Sequence, residues 1–268
     1  MSRRLLYVAV VAGILASASG QRVAAQLAAP GESGFVMGHV HLVVKDAEGH
    51  RKFWAQLGGT PVQNGTLQLI QIPGVFVMLR QAEPTAGTVG STVNHFGFLV
   101  KDMKEWLPKW QAAGLKMEPI ARPTQVYLIG PDDVRVEILE DTSIDVPLKM
   151  HHVHFYTPVP LEAQAWYVKT FGAAPGKRAQ FDAADLPGVN LTFSKAETPT
   201  VGTKGRSLDH IGFEVKNLEQ VCKKLEASGI KLDRPYTRLP NSTTAIAFLT
   251  DPWGTYIELT ENLAPSTR

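Results

Sequence analysis

The sequence predicts an α+β fold: four βαβββ units, paired into two curved mixed β-sheets with the helices on the outside. Three observations predict it. One layout occurs four times, as "GHVHLVVKDAEGHRKFWAQLGG", "NHFGFLVKDMKEWLPKWQAAGL", "HHVHFYTPVPLEAQAWYVKTFGA" and "DHIGFEVKNLEQVCKKLEASGI". Its histidines, His39, His95, His152 and His210, are 56, 57 and 58 residues apart. A near-constant period of this size marks an internal repeat. Each copy passes from an alternating strand, through a polar or Pro-containing turn, to an amphipathic stretch that ends in Gly.

The elements follow in order. Asp102 is placed to cap the second helix, where Pro108 is expected to kink or restart it. Asn217 with Gln220 reads as a capping box for the fourth helix, and Gly229 as its stop. After the helices the chain returns to strand-like runs: "GTLQLIQI" and "VFVMLRQ", "QVYLIG" and "VRVEILE", "VNLTFSK", then "TAIAFLT" and "TYIELTE". Pro- and Gly-rich joins, "QAEPTAGTVGST" and "KAETPTVGTKGRS", separate units within each half, and the halves meet near "DTSIDVPLK". Units this small are marginal alone, so neighbouring units are expected to pair. The division is 35–145 for the first half and 146–268 for the second.

Residues 1–34 stand apart. Arg3 and Arg4, the apolar run Leu5 to Ala16 and the small residues after it form the layout of a secretory signal peptide, with cleavage after Ala18, Gly20 or Ala25. The apolar run is short for a membrane span of about 20 residues, so no stable membrane anchor is expected after cleavage. The expected location is periplasmic or secreted. A net charge of +2, with no concentrated basic stretch, gives no mandate for nucleic acid or an anionic membrane as partner. The sequence carries no sign of oligomeric state. Cys222 is the single cysteine, so no intrachain disulfide forms; between Val221 and Leu225 it reads as packing.

Residues two apart on a strand share a face, so His152 and His154 point one way and His151 the other. His39 and His41 repeat the arrangement, and the other units carry His95 with Gly97 and His210 with Gly212. Glycine two residues on leaves space beside the histidine. Glu137 and Glu258 each sit between large aliphatics on an alternating strand, and a carboxylate there is costly unless paired or metal-bound. Each half thus offers two His and one Glu: His152, His210 and Glu258 as the main site, His39, His95 and Glu137 as a second. Two His and one carboxylate suit Fe(II), with Mn, Zn and Ni as alternatives. His154, with His41 as its counterpart, is a candidate general base or a wall residue bonded to substrate or water. Tyr256, on the face of Glu258, is a candidate donor to a bound oxygen or a plain liner. Arg135 is placed to pair with Glu137 or to clamp an anionic substrate.

The segments "LDHIGFEVKNLEQV" and "FLTDPWGTYIELTE", echoed by "VNHFGFLVKDM" and "IGPDDVRVEILED", resemble the vicinal oxygen chelate (VOC) superfamily, which includes glyoxalase I, extradiol dioxygenases and fosfomycin- and bleomycin-resistance proteins. The resemblance runs from about Phe35 to Asn262. It implies two glyoxalase-like VOC domains in tandem, 35–145 and 146–268, each a cup of two βαβββ units that holds a divalent metal. That metal would chelate neighbouring oxygens of a small organic substrate. The position of the fourth glyoxalase ligand is Met78 in one half and Thr192 in the other. The Tyr that extradiol enzymes place before the last motif is Phe248, and no His lies near Asn241. The resemblance therefore implies three protein ligands and either dioxygenase or lyase/isomerase chemistry. A noncatalytic binding or sequestering protein of the bleomycin-resistance type is the alternative.

Overall fold

The structure, a computed structural model, describes residues 27–264. The signal-peptide reading of residues 1–26 lies outside them. Residues 27–34, set aside with that leader, carry packing: Leu27 lies against Leu69, Phe76 and Leu263.

All four units form. The first is β1 (Phe35–Val44), α1 (Ala47–Gln56), β2 (Thr60–Asn64), β3 (Leu67–Ile72) and β4 (Val75–Gln81). The second is β5 (Val93–Val100), α2 (Met103–Ala112), β6 (Gln125–Ile129) and β7 (Arg135–Glu140). Its third post-helical strand is reduced to an isolated bridge between Met117 and Leu128. The third is β8 (Leu148–Thr157), α3 (Pro160–Phe171), β9 (Ala174–Arg178), β10 (Phe181–Leu186) and β11 (Val189–Lys195). The fourth is β12 (Leu208–Val215), α4 (Leu218–Ala227), β13 (Leu232–Arg238), β14 (Ala245–Thr250) and β15 (Tyr256–Glu261).

The pairing of units corrects the expected halves. One sheet runs β13-β14-β15-β12-β1-β4-β3-β2 and the other β6-β7-β5-β8-β11-β10-β9. The first unit is therefore paired with the fourth and the second with the third, so neither 35–145 nor 146–268 is a self-contained sheet. The reason lies at the strand edges. Every unit leaves the edge of its first strand open, and an open edge needs a partner. Only residues 141–147 separate β7 from β8, and β5 closes antiparallel on β8. β1 and β12, at the two ends of the fold, are left to close on each other.

Rings join the backs of the two sheets into one core. Trp54 of α1 stacks on Phe96 at 5.9 Å, and Phe171 of α3 meets Phe213 at 5.1 Å. By strand alternation these phenylalanines lie opposite His95 and His210, so the helices cover the faces away from the histidines. The caps differ in one place. Asp102 caps α2 as expected, accepting from Lys104 N and Glu105 N, and the helix runs unbroken through Pro108. Asn217 makes no capping hydrogen bond; it adopts a left-handed backbone at φ 55°. Glu261, from β15, accepts from Asn217 N and Leu218 N instead. No helix among the described residues is long and apolar enough to cross a membrane.

Candidate metal centre

Register brings the histidines together. In the first sheet His41 lies across from His210, and His39 across from Gly212, which in turn lies beside Glu258. The second sheet repeats this: His154 opposes His95, and the row runs His152, Gly97, Glu137. In each row a glycine separates a histidine from a glutamate, and its missing side chain is where the two meet. A methyl built on Gly212 would overlap the His39 ring, and one on Gly97 the His152 ring.

Two clusters result, each with ligand atoms mutually within 4.8 Å: His39, His41, His210 and Glu258, and His95, Glu137, His152 and His154. The expected combinations are therefore regrouped. His210 and Glu258 meet His39, not His152, while His152 meets His95 and Glu137. The cause is the unit pairing above. Each site takes a His-x-His pair from an odd unit and a His and a Glu from an even one. His154 and Tyr256, expected to share one site, belong to different ones.

In the first cluster His39 Nε2 lies 3.0 Å and His210 Nε2 2.8 Å from the same oxygen, Glu258 Oε2. Asp209 Oδ1 stands 2.6 Å from His210 Nδ1 and orients that ring from behind. Burial alone would raise the Glu258 carboxyl, but the hydrogen bonds from His210 and His39 overcome it and hold it well below the usual range. Burial lowers His39, and lowers His41 to about 3, so both rings are neutral and offer lone pairs near pH 7. Burial opposes the charge on His210, but Asp209 and Glu258 together raise its pKa. Nδ1 of both His39 and His41 is buried without a hydrogen-bond partner. Unpartnered imidazole nitrogens around one ionised carboxylate are a donor set that fits a divalent first-row cation.

Tyr256 stacks on Phe248 and lies edge-on to His210 at 5.6 Å, so it walls this cluster; burial pushes its hydroxyl up to about 12. A cavity of 670 Å³ adjoins the cluster at His41. Leu67, Leu69, Ile70 and Met78 give it an apolar lining, and Arg51 and Arg80 its charge.

The second cluster has different surroundings. Tyr127 OH donates to Glu137 Oε1 at 2.8 Å, and Gln125 Nε2 donates to the same oxygen. His95 Nε2 is 3.2 Å from Glu137 Oε2. His152 Nε2 is 2.8 Å from that oxygen, at an angle that makes no hydrogen bond. His154 sits between Ser194 Oγ, 2.7 Å from Nε2, and His95 Nε2, 3.2 Å from Nδ1. Arg135, expected to pair with Glu137 or clamp a substrate, forms a bidentate pair with Glu118 and lies over the Tyr127 ring. His151, expected to point away, is not one of the four and lines surface clefts, but its Nδ1 lies 3.0 Å from His152 Nδ1.

Sequence reading did not single out Asp209, Gln125, Arg51, Arg80 or Arg178. Asp209 had a signal, standing directly before His210. Arg178 had none, because its place follows from hairpin register.

The fold and the paired His/Glu clusters define a class, βαβββ proteins with side-chain groups that could hold a metal. Residues 149–259 match the sequence model of the Glyoxalase/Bleomycin resistance protein/Dioxygenase superfamily. The match covers the third and fourth units, and both sheets have the VOC-type arrangement. Similar folds occur in glyoxalase I from Zea mays, 17% identical with a TM-score of 0.67, over 85% of this chain and 92% of that one. The V278E mutant of the same enzyme gives 17% and 0.68 over the same shares. A dioxygenase candidate from Bacillus subtilis gives 16% and 0.67, over 85% and 86%. Among curated proteins no sequence match was found.

Proposed function

We propose that the protein is a metal-dependent enzyme of this superfamily whose working centre is His39, His210 and Glu258, with His41 as a fourth ligand. Its substrate is a small organic molecule with neighbouring oxygens. The observation that carries this reading is the double place of His41, which belongs to the ligand cluster and also lines the 670 Å³ cavity. A molecule in that cavity would stand beside the ligand atoms.

Bound there, a divalent cation supplies a Lewis acid for two adjacent oxygens, and Fe(II), the first candidate, adds oxygen chemistry. The chain's own groups do the rest. Asp209 holds His210 Nδ1, so that Nε2 stays turned toward Glu258. Leu67, Leu69, Ile70 and Met78 keep water from the body of the substrate, and Arg51 and Arg80 favour an anionic end. His41 serves as ligand here rather than as base, and His154, in the other cluster, takes no part. Glyoxalase-type isomerisation and dioxygenation are the two reactions that the similar folds suggest.

Export remains part of the reading, on the strength of Arg3, Arg4 and the Leu5 to Ala16 run. A mature N-terminus after Ala18, Gly20 or Ala25 would support it.

The test is metal analysis of protein purified anaerobically. About one equivalent, lost in His210→Ala, is expected. Protein that holds no metal after reconstitution with Fe(II), Mn(II), Zn(II) or Ni(II) would refute the reading.

A further inference from the structure

We propose that Arg178 is the resident cation of the second His/Glu cluster, and that this cluster takes no metal in the native chain. The inference rests on the reading above only for the metal expected at the first cluster.

Arg178 ends β9, and one guanidinium nitrogen lies 3.8 Å from Glu137 Oε2 and 3.4 Å from His154 Nδ1. Its Nε donates to Thr192 Oγ1 at 2.8 Å, and that hydroxyl donates to Asn190 Oδ1 at 2.6 Å. The side chain is therefore anchored, and it is largely buried, with 19% of its surface exposed. A permanent positive charge against the ligand carboxylate leaves a divalent ion to be bound against repulsion.

A guanidinium against the ligand glutamate is particular to this cluster; beside the first, Arg80 lies 3.9 Å from Asp209 Oδ2 instead. Arg178 faces Phe181 across the β9–β10 turn, and the equivalent pair across the β2–β3 turn is Asn64 and Leu67. Asn64 points elsewhere, donating to Leu263 O at 2.8 Å. The first cluster therefore has no guanidinium at the matching position.

Three further differences have the same sense. Glu137 Oε1 is occupied by Tyr127 and Gln125, whereas Phe248 and Ile246 hold those places beside Glu258. Behind His95 stands the neutral Asn94, 2.8 Å away, where His210 has the carboxylate of Asp209. Phe181 and Tyr156 each lie 5.2 Å from the His154 ring. The adjoining clefts, of 520 and 530 Å³, are lined by Arg178 and His151 but by none of the four cluster side chains. The second cluster is thus a set of potential ligands already neutralised from within.

The test is anaerobic titration of the full chain with Co(II), followed by its visible absorption. Arg178→Met is expected to bind one equivalent more than the wild type, and a further Glu137→Gln to remove that gain. Arg178→Lys, which keeps the charge, is expected to match the wild type. No gain in an Arg178→Met protein that melts like the wild type overturns the proposal. So does a wild-type count that falls by one in Glu137→Gln. If Arg178→Met does not fold, wild type against Glu137→Gln decides: an unchanged count supports the proposal and a loss of one overturns it. Failure of the first-cluster reading shows separately, as a wild type that binds nothing; a rise from none to one in Arg178→Met then still supports this proposal, and none in both overturns it.

Discussion

His39 and Glu258 are 219 residues apart in the chain, yet His39 Nε2 lies 3.0 Å from Glu258 Oε2, above Gly212. The contact joins the first strand of the fold to the last. It exists because β1 pairs with β12 and β12 with β15, and because the residue between the two side chains has none of its own.

Gly212→Ala is expected to break that contact. The added methyl overlaps the His39 ring, and the displacement should lower metal affinity at least about 10-fold, at a stability cost of about 1–3 kcal/mol. Calorimetric metal titration and urea unfolding measure the two effects. Gly97→Ala should cost similar stability and leave metal binding at the first cluster unchanged.

Asp209→Asn removes the charge behind His210 but keeps an acceptor near Nδ1, now 2.6 Å away. Metal affinity is expected to fall about 10- to 100-fold, with the melting curve little altered. An unchanged affinity would mean that Asp209 serves the loop at Gly205, whose N donates to its other oxygen, and Arg80, 3.9 Å from that oxygen, rather than the metal site.

Burial pushes the Glu214 carboxyl up to about 7 from its ordinary 4.5, against hydrogen bonds from Thr260 and Leu263. A carboxyl raised in the folded state favours folding while it is protonated. Its contribution is full below about pH 4.5 and is lost as pH rises through 7, some ~3 kcal/mol in all. Glu214→Gln should flatten this slope and leave the variant more stable than the wild type at pH 8. Chemical denaturation at a series of pH values checks it.

Tyr167 OH donates to the buried Asp251 Oδ2 at 2.9 Å, tying α3 to the turn in which Asp251 also accepts from Trp253 N and Thr255 N. Tyr167→Phe is expected to cost about 1–3 kcal/mol in urea unfolding, because a buried acceptor loses its donor. Metal content should not change.

The first strand of every unit, most of the later strands, the repeat and the residue types of both clusters were legible in the sequence, because alternation fixes which side chains share a face and the glycines mark the space between them; β2, β9, β10 and β13, short or polar, were not. The partner of each unit was not. The first strands β1, β5, β8 and β12 carry nearly the same pattern, and nothing local distinguishes His39 from His152 as the neighbour of His210. That choice is made by edge closure and by the short link between β7 and β8. The internal charge at Arg178 was hidden for a similar reason: it reaches Glu137 only through the register of the β9–β10 hairpin.

The most direct measurement is the metal content of two single variants, His39→Ala and His152→Ala, reconstituted and analysed side by side. Loss of the bound metal in His39→Ala, with His152→Ala at the wild-type value, is the result expected from pairing of the first and fourth units. Loss in His152→Ala with His39→Ala unaffected would contradict it.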